Sequence, residues 1–326
     1  MDSNAARRIS VLAAGLVVAC LQAPVNAQKY PTKPVRVIVP FTAGSQTDLN
    51  ARLVGAKLAE AWGQQVVVDN RGGAGGTLGT AIVADSNPDG YTLLIHSSGY
   101  AIAPALYPKW KVDMLRDFQA ITTLVSASHL MLISPTLGPK SVKEFIDFAR
   151  KRGDGFVWAS AGVGSGTHFN GEMFMMATGL KHVHVPYKGT PEAMVDTISG
   201  RVHVFFGPIG PAMPLIKDGR ALALAVTSKN RSPVLPNLPT LAESGLPGFD
   251  FSIWFVAAAP AKTPKPVIQA ISSEMLKILA MPDIVKAFAA QGAVPEPRSP
   301  EEAQKFIAGQ IRTLGEVARA ANVPTQ

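Results

Sequence analysis

The sequence is short of reactive sulfur. Its single cysteine, Cys20, lies near the amino terminus, so the rest of the chain has no thiol nucleophile, disulfide framework or thiolate metal site. Beyond that region, no stretch reaches the roughly 18 uninterrupted apolar residues that a membrane-spanning helix requires. Stability must then come from ordinary hydrophobic cores, for which a hydrophobic content of 47% is ample in two domains of typical size.

Motifs of nucleotide-binding and hydrolytic enzymes are also missing. No Gly-Lys pair occurs, which excludes the phosphate loop of NTPases, and VVVDNRGGAGGTLG at 66–79 has Leu78 where a dinucleotide fingerprint needs its third glycine. The motifs G-x-S-x-G and S-x-x-K do not occur, since Val163 stands two residues before Ser165. We expect neither an enzyme nor a cofactor; an exported carboxylate-ester hydrolase using Ser165 or His168 is a distant alternative.

The chain has 31 Lys and Arg against 23 Asp and Glu, a formal net charge of +8. This balance suits an anionic ligand. The basic residues are scattered, however, and never form the clustered, aromatic-interleaved patch that nucleic-acid binding requires. We therefore expect no nucleic-acid partner.

Three histidines raise the question of a metal. His182 and His184 are spaced to share one face of a strand and could hold a metal with His203. No carboxylate accompanies them nearby, so they are predicted to be ordinary strand histidines and no metal site is expected.

The amino-terminal segment has the layout of a secretory signal peptide. Arg7 and Arg8 precede an apolar run at 9–21, and small residues at 25–27 precede Gln28. We expect residues 1–27 to be removed and the mature protein to begin at Gln28 in the periplasm. Lipidation of Cys20 is an alternative processing route, and the paired arginines leave export in the folded state open.

Branched-aliphatic runs alternate with stretches of helical periodicity, which predicts parallel βα units. No internal repeat or low-complexity tract is evident. Strands are predicted at 35–39, 66–69, 92–95, 156–159, 183–185, 202–206, 221–227 and 251–256. Helices are predicted at 47–62, 141–152, 168–178, 191–198, 265–280 and 300–320.

Two junctions between a strand and a helix are candidate anion sites. In the first, VPFTAGSQTDLN at 39–50, the segment 43–45 could expose consecutive N–H groups, Ser45 or Thr47 could cap the helix, and Asp48 falls in its first turn. In the second, WASAGVGSGTHFNGE at 158–172, glycines let the backbone approach a ligand closely, and His168 is a polar ligand contact or a capping residue. Each could also be only a tight turn. Together they suggest two facing anion cradles.

These stretches carry a resemblance that covers nearly the whole chain after the leader. The motifs are YPTKPVRVIVPFTAGSQTD, VVVDNRGGAGG, DGYTLL, APALYP, SAGVGSGTH, HVPYKGTPEA, LAVTSKNRSPVLPNLPTLAESGLPGF and WFVAAAPAKTPKPV. In order and spacing they resemble the periplasmic solute receptors of tripartite tricarboxylate transporters, the Bug family.

The resemblance implies an α/β fold: a two-domain periplasmic binding protein type II clamshell, each domain a mostly parallel sheet flanked by helices. Domain 1 would comprise 28–125 and 251–326, and domain 2 would comprise 126–250, with hinges near Val125 and Phe251. A carboxylate would be held mainly by backbone amides and ordered waters from loops 41–48 and 160–168. The ligand-binding residues implied are Phe41, Thr42, Ala43, Gly44, Ser45, Gln46, Asp48, His96, Ser97, Ser98, Ser160, Ala161, Gly162, Ser165, Thr167, His168, Tyr187 and Lys188.

The sequence departs from the family pattern at several of these positions. Thr42 and Ala43 replace prolines, and Ser45 and Gln46 add polar groups, which favours a larger or more polar ligand. The aspartates often found in the family are absent at His203 and Gly207. A cationic amine therefore loses partners, and a di- or tricarboxylate or an aromatic carboxylate is expected rather than an amino acid.

The function implied is a monomeric receptor that delivers a small organic carboxylate to the subunits of an inner-membrane transporter. A ligand-sensing protein that docks on a signalling partner is the alternative, because the same fold serves both.

Overall fold

Ten strands form one continuous mixed sheet in the computed structural model of the protein, which describes residues 30–320 and 323–325. The predicted leader, with Cys20 and Gln28, lies outside these residues. By contact density the chain divides after Thr32 into two units, and the unit from Lys33 onward contains all ten strands. Their order is β2-β1-β3-β9-β4-β7-β5-β6, with β10 and β8 each pairing with β4.

The first half-sheet is built on three parallel strands, β1 (Val35–Val39), β2 (Val66–Asn70) and β3 (Thr92–Ser97). Two antiparallel strands continue it, β9 (Ser252–Pro260) and the first part of β4 (Phe118–Ile133), and β10 (Ala293–Pro295) also pairs with β4. Its helices are α1 (Gln46–Trp62), α2 (Thr77–Ala84), α3 (Gly99–Leu106), α8 (Lys265–Leu279), α9 (Pro282–Ala289) and α10 (Pro300–Ala320).

The second half-sheet repeats this plan. Parallel strands β5 (Val157–Ser160), β6 (Val183–Pro186) and β7 (Val204–Pro208) lie beside the last part of β4, which runs antiparallel to both β7 and β8 (Leu222–Val226). Its helices are α4 (Val142–Arg152), α5 (Gly166–Thr178), α6 (Thr190–Ile198) and α7 (Ile209–Lys217). Leu130, Phe205 and Val226 are fully buried and form part of its core.

Strand β4 is shared by both half-sheets. As far as Ser128 it pairs with β9, and from His129 onward it pairs with β7. The register with β9 shifts between Ala120 and Thr122 and between Thr123 and Ser126. Such irregularities bend a strand and increase its twist. The passage from one half-sheet to the other therefore falls between Ser128 and His129.

The α/β class is confirmed, and so are the predicted strands and helices, to within a few residues at their ends. The expectation of mostly parallel sheets needs correction, because the sheet is mixed: β4 and β9 run antiparallel to their neighbours. Strand β4 was not predicted, because its stretch FQAITTLVSASHLMLI carries Ser and Thr in place of an aliphatic run. These are buried in the sheet: Thr122 is 0% and Thr123 1% exposed.

Within the described residues, no helix is both long enough and apolar enough to cross a membrane. The same part of the chain contains no cluster of three or more His, Cys, Asp or Glu side chains arranged to hold a metal ion.

Candidate ligand-binding site

A small cavity lies where two helices begin. The first residues of α1, with their cap Ser45, and the first residues of α5, with their cap Ser165, contribute to one lining. Thr190, the first residue of α6, and residues of the strands β3, β4, β7 and β9 complete most of the rest. The volume of the cavity is about 20 Å³, room for about one water molecule. The lining residues are Phe41, Ser45, Gln46, Thr47, Ser97, His129, Ala161, Ser165, Gly166, Thr167, Thr190, Pro208, Ile253 and Phe255.

The start of α1 is held by local hydrogen bonds. The Ser45 hydroxyl accepts from the N–H of Asp48 at 3.3 Å, and the N–H of Gly44 donates to the Asp48 carboxylate at 2.9 Å. Arg52 lies 3.0 Å from the same carboxylate. Burial alone would raise the pKa of Asp48, but hydrogen bonds from Arg52, Gly44 and Asn70 hold it below its ordinary value. Asp48 is therefore ionised, and it stabilises the turn instead of lining the cavity.

The start of α5 has the same pattern of hydrogen bonds, with His168 in the place that Asp48 takes at the start of α1. The Ser165 hydroxyl accepts from the N–H of His168 at 3.1 Å, and the N–H of Gly164 donates to His168 Nδ1 at 3.3 Å. Because Nδ1 accepts, the ring proton lies on Nε2, which is 3.4 Å from the Glu172 carboxylate. Both ring nitrogens of His168 are thus engaged behind the loop.

Sequence and geometry together reveal a short repeat. GSQTDLN at 44–50 and GSGTHFN at 164–170 share Gly, Ser, Thr and Asn at matching positions, and the hydrogen bonds of the two turns match residue for residue. The similarity is confined to these two seven-residue turns, so the expectation of no internal repeat longer than these turns stays a prediction. A motif this short is easily missed, because only the equivalence of the two turns gives it meaning.

Two positive helix ends consequently face one cavity. The first N–H groups of a helix have no acceptor within the helix and lie at the positive end of its dipole. In α1 these groups belong to Gln46 and Thr47, and in α5 to Gly166 and Thr167, all four of which line the cavity. Such an arrangement is suited to bind an anion.

Several N–H groups that the glycine patterns suggested as ligand donors are used within the loops. The N–H of Ala161 donates to the Thr167 hydroxyl at 2.8 Å, and that of Gly162 to the Ser160 hydroxyl at 3.0 Å. These bonds fix the shape of the second loop. The donors that face the cavity are the helix starts rather than the glycine turns.

The strand side of the cavity contributes a histidine that the sequence reasoning missed. His129 is 1% exposed, and its Nδ1 accepts a hydrogen bond from Asn170 Nδ2 at 3.1 Å. Its Nε2 and the Thr190 hydroxyl are buried and have no hydrogen-bond partner among the described residues. Burial lowers the pKa of His129 to about 3, so the ring is neutral. No charged side chain is among the described residues of the lining.

The structure brings only some of the predicted site residues to this cavity. Those in the lining are Phe41, Ser45, Gln46, Ser97, Ala161, Ser165 and Thr167. Those outside it are Thr42, Ala43, Gly44, Asp48, His96, Ser98, Ser160, Gly162, His168, Tyr187 and Lys188. Their roles in ligand binding stay predictions.

Most residues outside the lining have structural partners. The Thr42 hydroxyl donates to Glu192 Oε2 at 3.1 Å, and the Tyr187 hydroxyl donates to Asp196. His96 packs edge-on against Phe41 with ring centroids 5.4 Å apart, and burial lowers its pKa to about 4. These contacts stabilise the walls around the cavity.

His184 lies in β6 and His182 just before it, and both pack on Trp158. The Trp158 indole N–H donates to His182 Nδ1 at 2.9 Å, and the ring of His184 stacks on Trp158 with centroids 4.2 Å apart. His203 Nδ1 accepts from the N–H of Val157 at 2.9 Å. Each of the three thus has its own partner in the second half-sheet.

The glycine-rich stretch that follows β2 packs against the second loop. A Cβ at Gly75 would lie 1.7 Å from the carbonyl oxygen of Val163, and one at Gly162 would lie 3.0 Å from the N of Gly75. Only residues without a side chain permit this approach of the two backbones. The stretch therefore serves contact between the two half-sheets' loops.

The fold and the site define a periplasmic binding protein. In agreement, residues 50–323 match the model of the tripartite tricarboxylate transporter family receptor. BugT of Bordetella pertussis is 35% identical over 318 residues, covering 97% of this chain and 98% of that protein. The chain therefore belongs to this receptor family. A periplasmic location follows from that membership.

Solved structures of similar proteins agree with the fold. The periplasmic binding protein BugD has a TM-score of 0.88 and 35% identity, covering 91% of this chain and 100% of that one. R. palustris Rpa4515 with adipate has a TM-score of 0.88 and 32% identity, with coverages of 91% and 100%. MatC from Rhodopseudomonas palustris with bound malate has a TM-score of 0.84 and 31% identity, with coverages of 88% and 99%.

The relatives are named as receptors or binding proteins, a non-enzymatic role. The hydrolase alternative also lacks its geometry. The Ser165 hydroxyl accepts from the backbone N–H of His168 and has no hydrogen bond to its ring, and His168 Nε2 faces Glu172. A serine activated by a histidine base requires the two side chains to hydrogen-bond.

Proposed function

We propose that the protein captures a small organic carboxylate at the starts of α1 and α5 and delivers it to a tripartite tricarboxylate-type secondary transporter. One observation carries the proposal: two positive helix ends meet at one cavity that also contains buried polar atoms with no hydrogen-bond partner among the residues that the structure describes. Charge-assisted hydrogen bonds from N–H groups to a carboxylate are stronger than neutral ones, and more so away from water.

The ligand class proposed is a di- or tricarboxylate or an aromatic carboxylate. Support comes from Rpa4515 and MatC, whose structures contain adipate and malate. Within this chain, the described lining offers neutral donors and no carboxylate. A ligand with an ammonium group would bury that charge without a counterion, which is costly.

Binding and release require the site to open, because a cavity of about 20 Å³ is too small for a dicarboxylate. We place the hinges near Val125 and Phe251, between domain 1 (28–125 and 251–326) and domain 2 (126–250). Strand β4 changes partners between Ser128 and His129, and the N–H of Phe251 donates to the Thr227 carbonyl at 2.9 Å. At each of these two places a single segment of the chain passes from one domain to the other, which suits a hinge motion.

The test is the change in melting temperature of the mature protein across mono-, di-, tri- and aromatic carboxylates, followed by calorimetry on the strongest binder. A ligand that binds only the folded state raises the melting temperature. At a ligand concentration of 100 times its Kd, the free energy of unfolding increases by about 2.7 kcal/mol. One class should stand out. A folded protein that responds to none of these compounds would overturn the proposal.

Delivery, processing and assembly need separate measurements. Deleting the gene should abolish uptake of the identified carboxylate, and normal uptake would contradict delivery to a transporter. Mass spectrometry of the exported protein should show an unmodified amino terminus at Gln28. Light scattering should give the mass of a monomer.

A further inference from the structure

The strongest unexplained feature of the cavity is one nitrogen of the His129 imidazole ring. His129 Nε2 is buried without a hydrogen-bond partner among the described residues, on a side chain that is 1% exposed. An unsatisfied buried polar group is destabilising, by about 1–3 kcal/mol. Such groups are rare in native proteins and call for an explanation.

The ring is held in place from behind. Asn170 Nδ2 lies 3.1 Å from His129 Nδ1. Because an amide nitrogen can only donate, we assign Nδ1 as the acceptor and place the ring proton on Nε2. The backbone is held as well, since the N–H of His129 donates to the Thr227 hydroxyl at 3.0 Å and its carbonyl accepts from the Thr227 N–H at 3.0 Å. The Nε2–H bond is therefore a fixed donor.

This donor is a side chain of strand β4 and not a backbone group of a helix start. His129 pairs with Pro208 across neighbouring strands, and Ile253 and Phe255 are the apolar strand residues of the same lining. The helix starts already supply several N–H groups for one carboxylate. The strand residues of the lining also include Ser97, Ile253 and Phe255. Among them the imidazole of His129 adds a donor that is available to a second acceptor on the ligand.

We propose that His129 recognises the second acceptor group of the ligand, a terminal carboxylate, and thereby makes the receptor prefer dicarboxylates over monocarboxylates. The inference rests on the proposed function, because it assigns one part of the same site. Asn170 is the positioning residue, since it sets the tautomer without lining the cavity itself.

The test uses two pairs of probes that differ only in one end group: succinate with butyrate, and adipate with hexanoate. Calorimetry on the mature protein should show that the diacid of at least one pair binds more tightly than its monoacid. His129→Phe, which keeps a ring but removes the donor, should lower this preference by about 10- to 100-fold. His129→Gln should restore part of it, because its amide can donate.

Two further variants separate direct contact from a structural effect. His203→Gln alters another buried histidine that is outside the lining, and it should leave the preference unchanged. Asn170→Ala should weaken the preference less than His129→Phe, because the donor remains but its tautomer is no longer fixed. An equal loss in His203→Gln would mean that the effect is structural.

A measurement on the wild-type protein avoids any question of folding. With ¹⁵N-labelled histidine, one of the six histidines should change its Nε2 signal when the diacid binds and not when the monoacid binds. The signal is assigned by its loss in His129→Gln. No change in any histidine signal, or an undiminished preference in folded His129→Phe, would overturn the inference while leaving the receptor function intact. Failure of the wild type to bind any carboxylate would overturn both.

Discussion

The two helix starts that meet at the cavity have the same hydrogen-bonding pattern and differ in the side chain that accepts from the glycine N–H. Each has a serine cap and a glycine whose N–H donates to the side chain four residues later. In the first half-sheet that side chain is the ionised Asp48, which is paired with Arg52. In the second it is His168, which contacts Glu172. The acceptor can change because it serves the turn, whereas the N–H groups that face the cavity belong to the backbone.

The largest effect should come from holding the two starts apart. Gly75→Ala would place a Cβ 1.7 Å from the Val163 carbonyl oxygen, a backbone atom that cannot swing away as a side chain would. The population of the closed, binding-competent state then decreases, and the apparent affinity for the best diacid should fall by at least about 100-fold. Calorimetry measures the loss.

Gly63→Ala is the matched control for this variant. Gly63 has φ +62°, against +61° for Gly75, but a Cβ there would have no atom within 4 Å. Both substitutions carry the same backbone strain, and only one blocks the contact between the loops. Equal affinities in the two variants would show that this contact is not needed for binding.

A smaller effect should distinguish the two caps. Ser45→Ala and Ser165→Ala each remove a cap, which costs about 1 kcal/mol in the free energy of unfolding. Ser165→Ala should lower the free energy of unfolding more than Ser45→Ala. The Ser165 hydroxyl also contacts the Thr167 hydroxyl at 2.9 Å, and the Thr167 hydroxyl accepts from the N–H of Ala161. Urea unfolding of both variants gives the comparison, and a larger loss in Ser45→Ala would contradict it.

The smallest effect concerns acid. Because the pKa of Asp48 is lowered in the folded state, its charge adds stability above the unfolded pKa of about 3.9, and this stability is lost as the pH falls through the folded value. In Asp48→Asn the melting temperature should therefore fall less between pH 5 and pH 2 than in the wild type. Asp154→Asn, whose side chain is 88% exposed, serves as the control. An identical slope in wild type and Asp48→Asn would contradict the role given to the Asp48 charge.

Much of the fold could be predicted from the sequence. The parallel strands have strong local patterns, such as the run VRVIV in β1. Most of their crossover helices were predicted as well, but the short helix α2 (Thr77–Ala84) was not. Strand β4 could not be recognised in this way, because Ser and Thr interrupt its apolar residues and their burial depends on strands far along the chain. Mostly parallel sheets were predicted for the same reason, because a local sequence pattern does not indicate the direction of the neighbouring strand.

The site was predicted in part. Ser45 and Ser165 were recognisable as caps or loop residues, and both line the cavity. His168 and Asp48 have the polar character expected of ligand contacts, but the structure places both behind their loops. His129 has no local signal, since a lone histidine in an apolar stretch is more often a core residue than a binding residue.

The sequence by itself determined the two helix starts, because capping bonds join residues three or four apart and form wherever those residues occur. It also determined the alternation of strands and helices through the spacing of apolar side chains. Only the tertiary structure decided that these starts face one another and that His129, Thr190 and Phe255 share their cavity. Those residues are far apart in the chain, and the pairing of β4 with strands of both half-sheets is what brings their side chains together.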